Sequence, residues 1–335
     1  MSTLIKKSLK NENPIWLMRQ AGRYLPEYQK IRKKQKNFIK FCLNINAATE
    51  VTLQPIKRYN FDAAIIFSDI LLIPYALGQE VKFKESEGPL LGEPNLKQYQ
   101  QTKIKEFIKK IKNVYKIIKK TRKALSKEKS LIGFAGSPWT ILVYVLNQKS
   151  PKKTNIYEKI IKNKQSKQFL KIIEKFIYIH IEQQIKAGVD TVQLFDSWAG
   201  LLNKKDLDYF CFQPTKRIIM KIKKNYPDIP IICFPKGIKE SVKEFCSIVK
   251  PDVLSIDSKI NPDFILKKIN SKIIIQGGMD PSFLIKKKTQ MQNKIKFYLN
   301  KFKNRAYIFN LGHGVPKETK PKTIQNLVNT VRNFV

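Results

Sequence analysis

Two arginines stand four residues apart in Met18-Arg19-Gln20-Ala21-Gly22-Arg23, with small residues between them. Guanidinium groups grip carboxylates in bidentate fashion and stay charged at any working pH. Ala21 and Gly22 would let a ligand come close to the backbone. Taken alone, such a pair also reads as a solvated surface turn. Further polar residues and glycines follow short apolar runs: Asp69, Gly136-Ser137, Asp196-Ser197, Lys236-Gly237, Asp257, Gly277-Gly278 and Gly312-His313. Asp69 on local sequence also suits a helix N-cap. Ser137-Pro138 reads as an N-cap followed by Pro at the first helical position, which would put Tyr144 in the second turn.

Those apolar runs are the elements that must position the polar groups. They span Ala63–Phe67, Leu131–Ala135, Thr191–Phe195, Ile229–Phe234, Val253–Ile256, Lys272–Ile275 and Ala306–Asn310. Continuous runs rich in Ile, Val and Phe read as buried parallel strands. Lys-rich helical patterns lie between them, such as Lys103–Lys119 and Lys167–Ala187, the latter with Leu170, Ile173, Ile177 and Ile181 on one face. Alternating strands and helices predict an α/β fold with a parallel sheet and right-handed crossovers. A closed (β/α)8 barrel and an open doubly wound sheet both fit, because only seven strands stand out. Polar groups gathered after the carboxyl ends of strands are what barrel enzymes use for their sites. No Gly-x-Gly-x-x-Gly opens a helix after the first strand and no Walker loop is present, which argues against nucleotide binding. The stretch 149–155 reads as a polar loop and no linker divides the chain, so residues 1–335 are read as one domain.

Composition narrows the function classes. The chain has 335 residues, 42% of them hydrophobic, enough for a large core. Sixty-five Lys and Arg against 26 Asp and Glu give a formal charge of +39, which raises the question of nucleic acid. The lysines are spread along the whole chain with no basic arm, so solvated helix faces are the expected reading, with a positive field that attracts anionic substrates. Cys42, Cys211, Cys233 and Cys246 form no CxxC pair and read as buried thiols in a reducing cytoplasm. The first 13 residues lack the apolar core of a secretory signal. The most apolar stretch, Phe61–Gly78, is broken by Asp62, Asp69 and Pro74 and makes a poor membrane span.

The string from Pro14 to Tyr28 resembles the N-terminal signature of the uroporphyrinogen decarboxylase family nearly residue for residue. Gly133-Phe134-Ala135-Gly136-Ser137-Pro138-Trp139-Thr140, followed by Tyr144, resembles its second signature. Phe67-Ser68-Asp69-Ile70-Leu71, Phe195 to Gly200 and Phe309 to Gly314 match further blocks, in family order across nearly the whole chain. Two departures lie beside these blocks: Gly278 stands where the family usually has Asn, and Leu202-Asn203-Lys204-Lys205 stands where a Ser-Pro is common.

The resemblance implies a distorted, single-domain (β/α)8 barrel, often a homodimer with facing clefts. It implies removal of carbon dioxide from the four acetate side chains of uroporphyrinogen III, giving coproporphyrinogen III for haem biosynthesis without cofactor or metal. A pyrrole can be its own electron sink once a ring carbon is protonated, so no pyridoxal or thiamine is required. By resemblance Asp69 stabilises the resulting cation. Arg19, Gln20 and Arg23 bind the acidic arms beside Ala21 and Gly22, with one arginine orienting or protonating the reacting position. Tyr144, Ser197 and His313 contact the substrate. His180 is expected to be structural. Two rivals remain: a zinc-dependent methyltransferase of the same superfamily, which would need clustered His and Cys ligands, and a nucleic-acid binder, which would show steep salt dependence. The expectation here is no membrane and no specific nucleic-acid partner.

Overall fold

A computed structural model of the chain describes residues 2–84, 87–151 and 156–334. Among the described residues nine strands occur, β1 (Ala63–Ile65), β2 (Val81–Lys84), β3 (Gly88–Leu91), β4 (Ser130–Gly136), β5 (Thr191–Asp196), β6 (Ile231–Pro235), β7 (Val253–Ile256), β8 (Ile274–Gly277) and β9 (Tyr307–Ile308). β2 and β3 form a separate antiparallel hairpin. The other seven form one parallel sheet in the order β1-β4-β5-β6-β7-β8-β9. Each of the seven apolar runs overlaps one of these strands, with bounds that differ by up to two residues. Their burial on both faces explains why the runs are continuous rather than alternating.

The sheet is closed by a segment too short and too irregular to read as a strand. Ile15 forms a parallel bridge with Phe309 beyond β9. On the other side the Asp62 N–H donates to Ile15 O at 2.9 Å, just before β1. Side chains complete the seam where the backbone ladder stops. Gln20 Nε2 donates to Ala63 O at 3.1 Å, and Asn310 Oδ1 accepts the Met18 N–H at 3.0 Å. Residues 14–18 thus form the eighth stave of a distorted (β/α)8 barrel, and the open-sheet alternative falls away.

Each stave is followed by an outer helix, from Ile45–Tyr59 after the stave at 14–18 to Pro321–Arg332 after β9. The helix Ser166–Ala187 buries Leu170, Ile173, Ile177 and Ile181, the face that its spacing predicts. The helix predicted from Lys103 runs from Ile104 to Ala124. The barrel interior is filled by Trp16, Met18, Ile65, Ile132, Ile232, Phe234 and Ile274. A small polar network crosses it: Trp16 Nε1 donates to Gln276 Oε1 at 2.9 Å, and Gln276 Nε2 donates to Ser255 Oγ at 3.1 Å. The helix Thr3–Leu9 plugs the amino-terminal end, where the Leu4 N–H donates to Ser130 Oγ at 2.9 Å. The interior is therefore a packed core, and only the carboxyl end can be a mouth. All four cysteines are buried free thiols. Of the polar loop predicted at 149–155, residues 152–155 lie outside the described residues. Among the described residues no helix is long and apolar enough to cross a membrane.

Candidate active site at the carboxyl end of the barrel

Arg19 leaves the eighth stave in a tight turn closed by the Gln20 N–H donating to Leu17 O at 3.0 Å. Its φ is +59°, a left-handed conformation that glycine or asparagine adopts at lower cost. The strain holds an exposed guanidinium over the mouth. A Cβ at Gly314 would lie 2.3 Å from Arg19 Cδ, so that glycine makes room for the arginine stem. Arg23 follows in the Gly22–Leu25 turn with its side chain exposed; Ala21 and Gly22 are half-buried between the two arginines.

Gln20 departs from the sequence expectation. It is fully buried, Oε1 accepts the Leu17 N–H at 3.1 Å, and Nε2 is spent on Ala63 O. Its side chain fastens the eighth stave to β1 instead of facing a ligand. These bonds fix the backbone on the carboxyl side of Arg19.

Asp69 stands at the end of the loop after β1, half-buried and open to the mouth. Its Oδ1 accepts the Leu71 N–H at 2.8 Å within the loop; the helix that follows, Leu72–Ala76, has Leu71 at its N-cap, so Asp69 is not the cap that the local sequence suggested. Oδ2 has no hydrogen-bond partner among the described residues. Burial pushes the Asp69 carboxyl up to about 6, against the opposing pull of the Leu71 N–H and the nearby Arg19. His313 is half-buried, and its ring faces Phe234 at 6.5 Å between centroids. Burial, then the charges of Lys236 and Arg19, hold it down at about 3, so it is a neutral imidazole at working pH.

Ser197 and Tyr144 are locked together by residues that the sequence did not single out as a unit. Thr140 Oγ1 donates to Asp196 Oδ1 at 2.6 Å and accepts the Trp198 N–H at 3.1 Å. Trp139 Nε1 donates to Trp198 O at 2.9 Å. The helix Pro138–Asn147, which carries Tyr144, is thereby bonded on both sides to the residue after Ser197. The Tyr144 and Trp198 rings meet edge-on at 6.2 Å. Cys211 Sγ donates to Asp196 Oδ2 at 3.2 Å, and burial pushes that carboxyl up to about 6. Ser137 does hold the N-cap position, but its side chain makes no cap hydrogen bond. Trp198 Nε1 and Ser68 Oγ, beside Tyr144 and Asp69 in turn, are buried without partners.

Lys236 also belongs to this end, following β6 and half-buried. The Lys-Gly pair directly after a strand was the available signal. A groove of about 860 Å³ opens nearby between Lys204, Lys239, Lys243, Lys259 and Phe264. Elsewhere, His180 accepts or donates a bond with Tyr115 Oη at 3.1 Å inside the helical layer, a structural pair. Among the described residues no group of three or more His, Cys, Asp or Glu is placed to hold a metal ion.

Gly278, where an Asn is usual in the resembling family, has φ +100° and a Tyr298 ring carbon 2.7 Å from where a Cβ would lie. Tyr298 Oη donates to Gly278 O at 2.7 Å, so the tyrosine occupies the space that a side chain here would need.

The family model described as Uroporphyrinogen decarboxylase (URO-D) matches residues 3–334. A uroporphyrinogen decarboxylase of Rickettsia bellii (strain RML369-C) is 46% identical, over 98% of this chain and 97% of its own. One of Rickettsia felis (strain ATCC VR-1525 / URRWXCal2) is 44% identical over 100% of this chain and 97% of its own. A solved methyltransferase from Methanosarcina mazei superposes with a TM-score of 0.77 over 99% of this chain and 98% of its own, at 15% identity, which is a likeness of fold. The sequence blocks, the barrel and the full-length relatives all agree, and the chain belongs to the uroporphyrinogen decarboxylase family.

Proposed function

We propose that this mouth decarboxylates the four acetate side chains of uroporphyrinogen III to give coproporphyrinogen III. Asp69, Arg19 and Arg23 act at the reacting group, and Ala21, Gly22, Tyr144, Ser197 and His313 line the bound substrate. The supporting observation is that Asp69 keeps one oxygen free of hydrogen bonds beside Arg19, whereas Asp196 and Asp257 at the same end have both of theirs engaged.

The chemistry needs that arrangement. Breaking the bond to carbon dioxide releases an electron pair that an isolated acetate cannot hold. The ring can hold it if the carbon next to the one bearing the acetate is first protonated. The acetate carbon is then conjugated with an iminium, and loss of carbon dioxide forms an exocyclic methylene. That methylene takes up a proton and the ring carbon gives one back. Each cycle consumes one proton and releases one carbon dioxide, and the pyrrole itself replaces a cofactor as electron sink. The intermediate is a cation. The substrate's carboxylates neutralise the arginines, so the ionised Asp69 is the charge left to stabilise it. A preorganised group of this kind lowers the barrier by about 3 kcal/mol. Neutral His313 donates one N–H to a side chain without adding charge.

The same reading treats residues 1–335 as one catalytic unit and extends to a cytoplasmic homodimer without a specific nucleic-acid partner. Anaerobic incubation of the purified protein with uroporphyrinogen III, followed by oxidation and separation by carboxylate number, tests it. Stepwise appearance of seven- to four-carboxylate species without added cofactor supports the reaction. An unchanged eight-carboxylate peak from folded protein overturns it.

A further inference from the structure

Lys236 is held as though its ammonium were awaiting an anion. Its backbone is fixed on three sides. The N–H donates to Asp196 O at 3.1 Å, the carbonyl accepts the Gly200 N–H at 2.9 Å, and the next N–H, of Gly237, donates to Asp257 Oδ2 at 2.7 Å. A Cβ at Gly200 would lie 2.8 Å from the Gly237 backbone, so the loops after β5 and β6 are pressed together. The side chain is half-buried, yet among the described residues it makes no hydrogen bond and no ion pair. Its acidic neighbour, Asp257, already accepts the N–H groups of Gly237 and Lys259. Its other charged neighbours, Arg19 and Lys259, repel it. Burial pushes its pKa below the usual lysine range, against the opposing pull of Asp257 and with a smaller contribution from Arg19 and Lys259. Desolvating an amine among like charges is unfavourable, and such positions are characteristic of sites that a counter-charged ligand completes.

We propose that Lys236 is a substrate-binding residue that, together with Arg19, anchors one carboxylate side chain of the substrate on the β6 side of the mouth. His313 feels both charges, which places its ring in the same electrostatic neighbourhood. The inference rests on the decarboxylase reading above and goes beyond it by assigning a third cation to the substrate. The anchored arm is one that keeps its carboxylate during the cycle, so the role is binding and not proton transfer.

Lys236→Met and Lys236→Arg separate these roles in the full-length protein. Two quantities are read: KM and kcat with uroporphyrinogen III, and the Kd of uroporphyrin III, the oxidised eight-carboxylate porphyrin, by fluorescence quenching. Lys236→Met should raise both KM and Kd at least about tenfold while kcat stays within about threefold. Lys236→Arg should keep both constants close to wild type, and it carries the test if the Met variant fails to fold. Unchanged KM and Kd in Lys236→Met would overturn the proposal. So would a loss of kcat at constant KM that arginine does not restore, since that marks a proton donor. A wild type that binds the porphyrin without decarboxylating would sink the reaction and leave the Kd test of Lys236 standing.

Discussion

The two ends of the barrel use the same residue types in opposite ways. At the amino-terminal end Asp62 is 2% exposed, and its carboxylate takes Lys7 Nζ at 2.8 Å, Arg332 Nη2 at 2.6 Å and the Ile15 N–H at 2.7 Å. That one side chain ties together the plugging helix, the eighth stave and the last helix. At the carboxyl end Asp69 receives a single N–H from its own loop, and Arg19, Arg23 and Lys236 make no ion pair among the described residues. Charge at the closed end is spent on joining the chain's termini to the barrel. Charge at the open end is left unpaired, at a cost in desolvation and in the left-handed backbone of Arg19, so that a polyanion can complete it.

Substitutions at each end should therefore separate activity from stability. Asp69→Asn should lower kcat by about a hundredfold, the effect of removing one preorganised charge. Its melting temperature should equal or exceed that of wild type. The folded-state pKa of Asp69 is raised to about 6, so its charge destabilises the fold above that pH, and Asn can still accept the Leu71 N–H. A Tm clearly below wild type would show that Asp69 also holds the fold together. Asp62→Ala should do the reverse. It should cost about 2–3 kcal/mol, because the Ile15 N–H loses its partner and two cations lose theirs. Turnover per folded molecule should stay within about threefold. Chemical denaturation alongside active-site-normalised rates checks both halves, and a large rate loss with unchanged stability would erase the distinction between the ends.

The Thr140 lock should give a smaller effect of mixed kind. Thr140→Val leaves Asp196 and the Trp198 N–H without their shared hydroxyl. KM should rise about tenfold as Ser197 and Tyr144 lose registry, with about 1–2 kcal/mol of stability lost. Thr140→Ser should restore both. If the serine variant fails to recover KM, the methyl group's packing matters and the hydrogen bonds do not.

The seven strands were legible because each is buried on both faces and so leaves an unbroken apolar run. The eighth stave was not, because Pro14–Met18 pairs through the side chains of Gln20, Asp62 and Asn310 as much as through its backbone. Its residues read as a binding motif, and the same segment turned out to close the barrel. The inward turn of the Gln20 side chain was illegible for a related reason: a motif gives residue types in order but not which way each side chain points. Lys236-Gly237 was visible as a pair after a strand, but in a chain carrying +39 formal charge nothing in the sequence marked that lysine as a binder. Only its burial and its lack of a partner set it apart. Asp196 and Thr140 lie 56 residues apart and become one unit only when β5 pairs beside β4.

The central claim is that one ionised carboxylate at the open end carries the chemistry, and the pH dependence of kcat/KM for wild type and Asp69→Asn tests it most directly. Asp69 is raised to about 6, so the active form is present above that pH and is lost as pH falls through it. His313 and His180, held near 3 and 4, contribute no limb in that range. Asp196 also titrates near 6, but its oxygens are committed to Thr140 and Cys211. Wild type should therefore show an acid limb near pH 6 that disappears, together with most of the activity, in Asp69→Asn. The same limb at undiminished height in the variant would move the chemistry away from Asp69 and contradict the account.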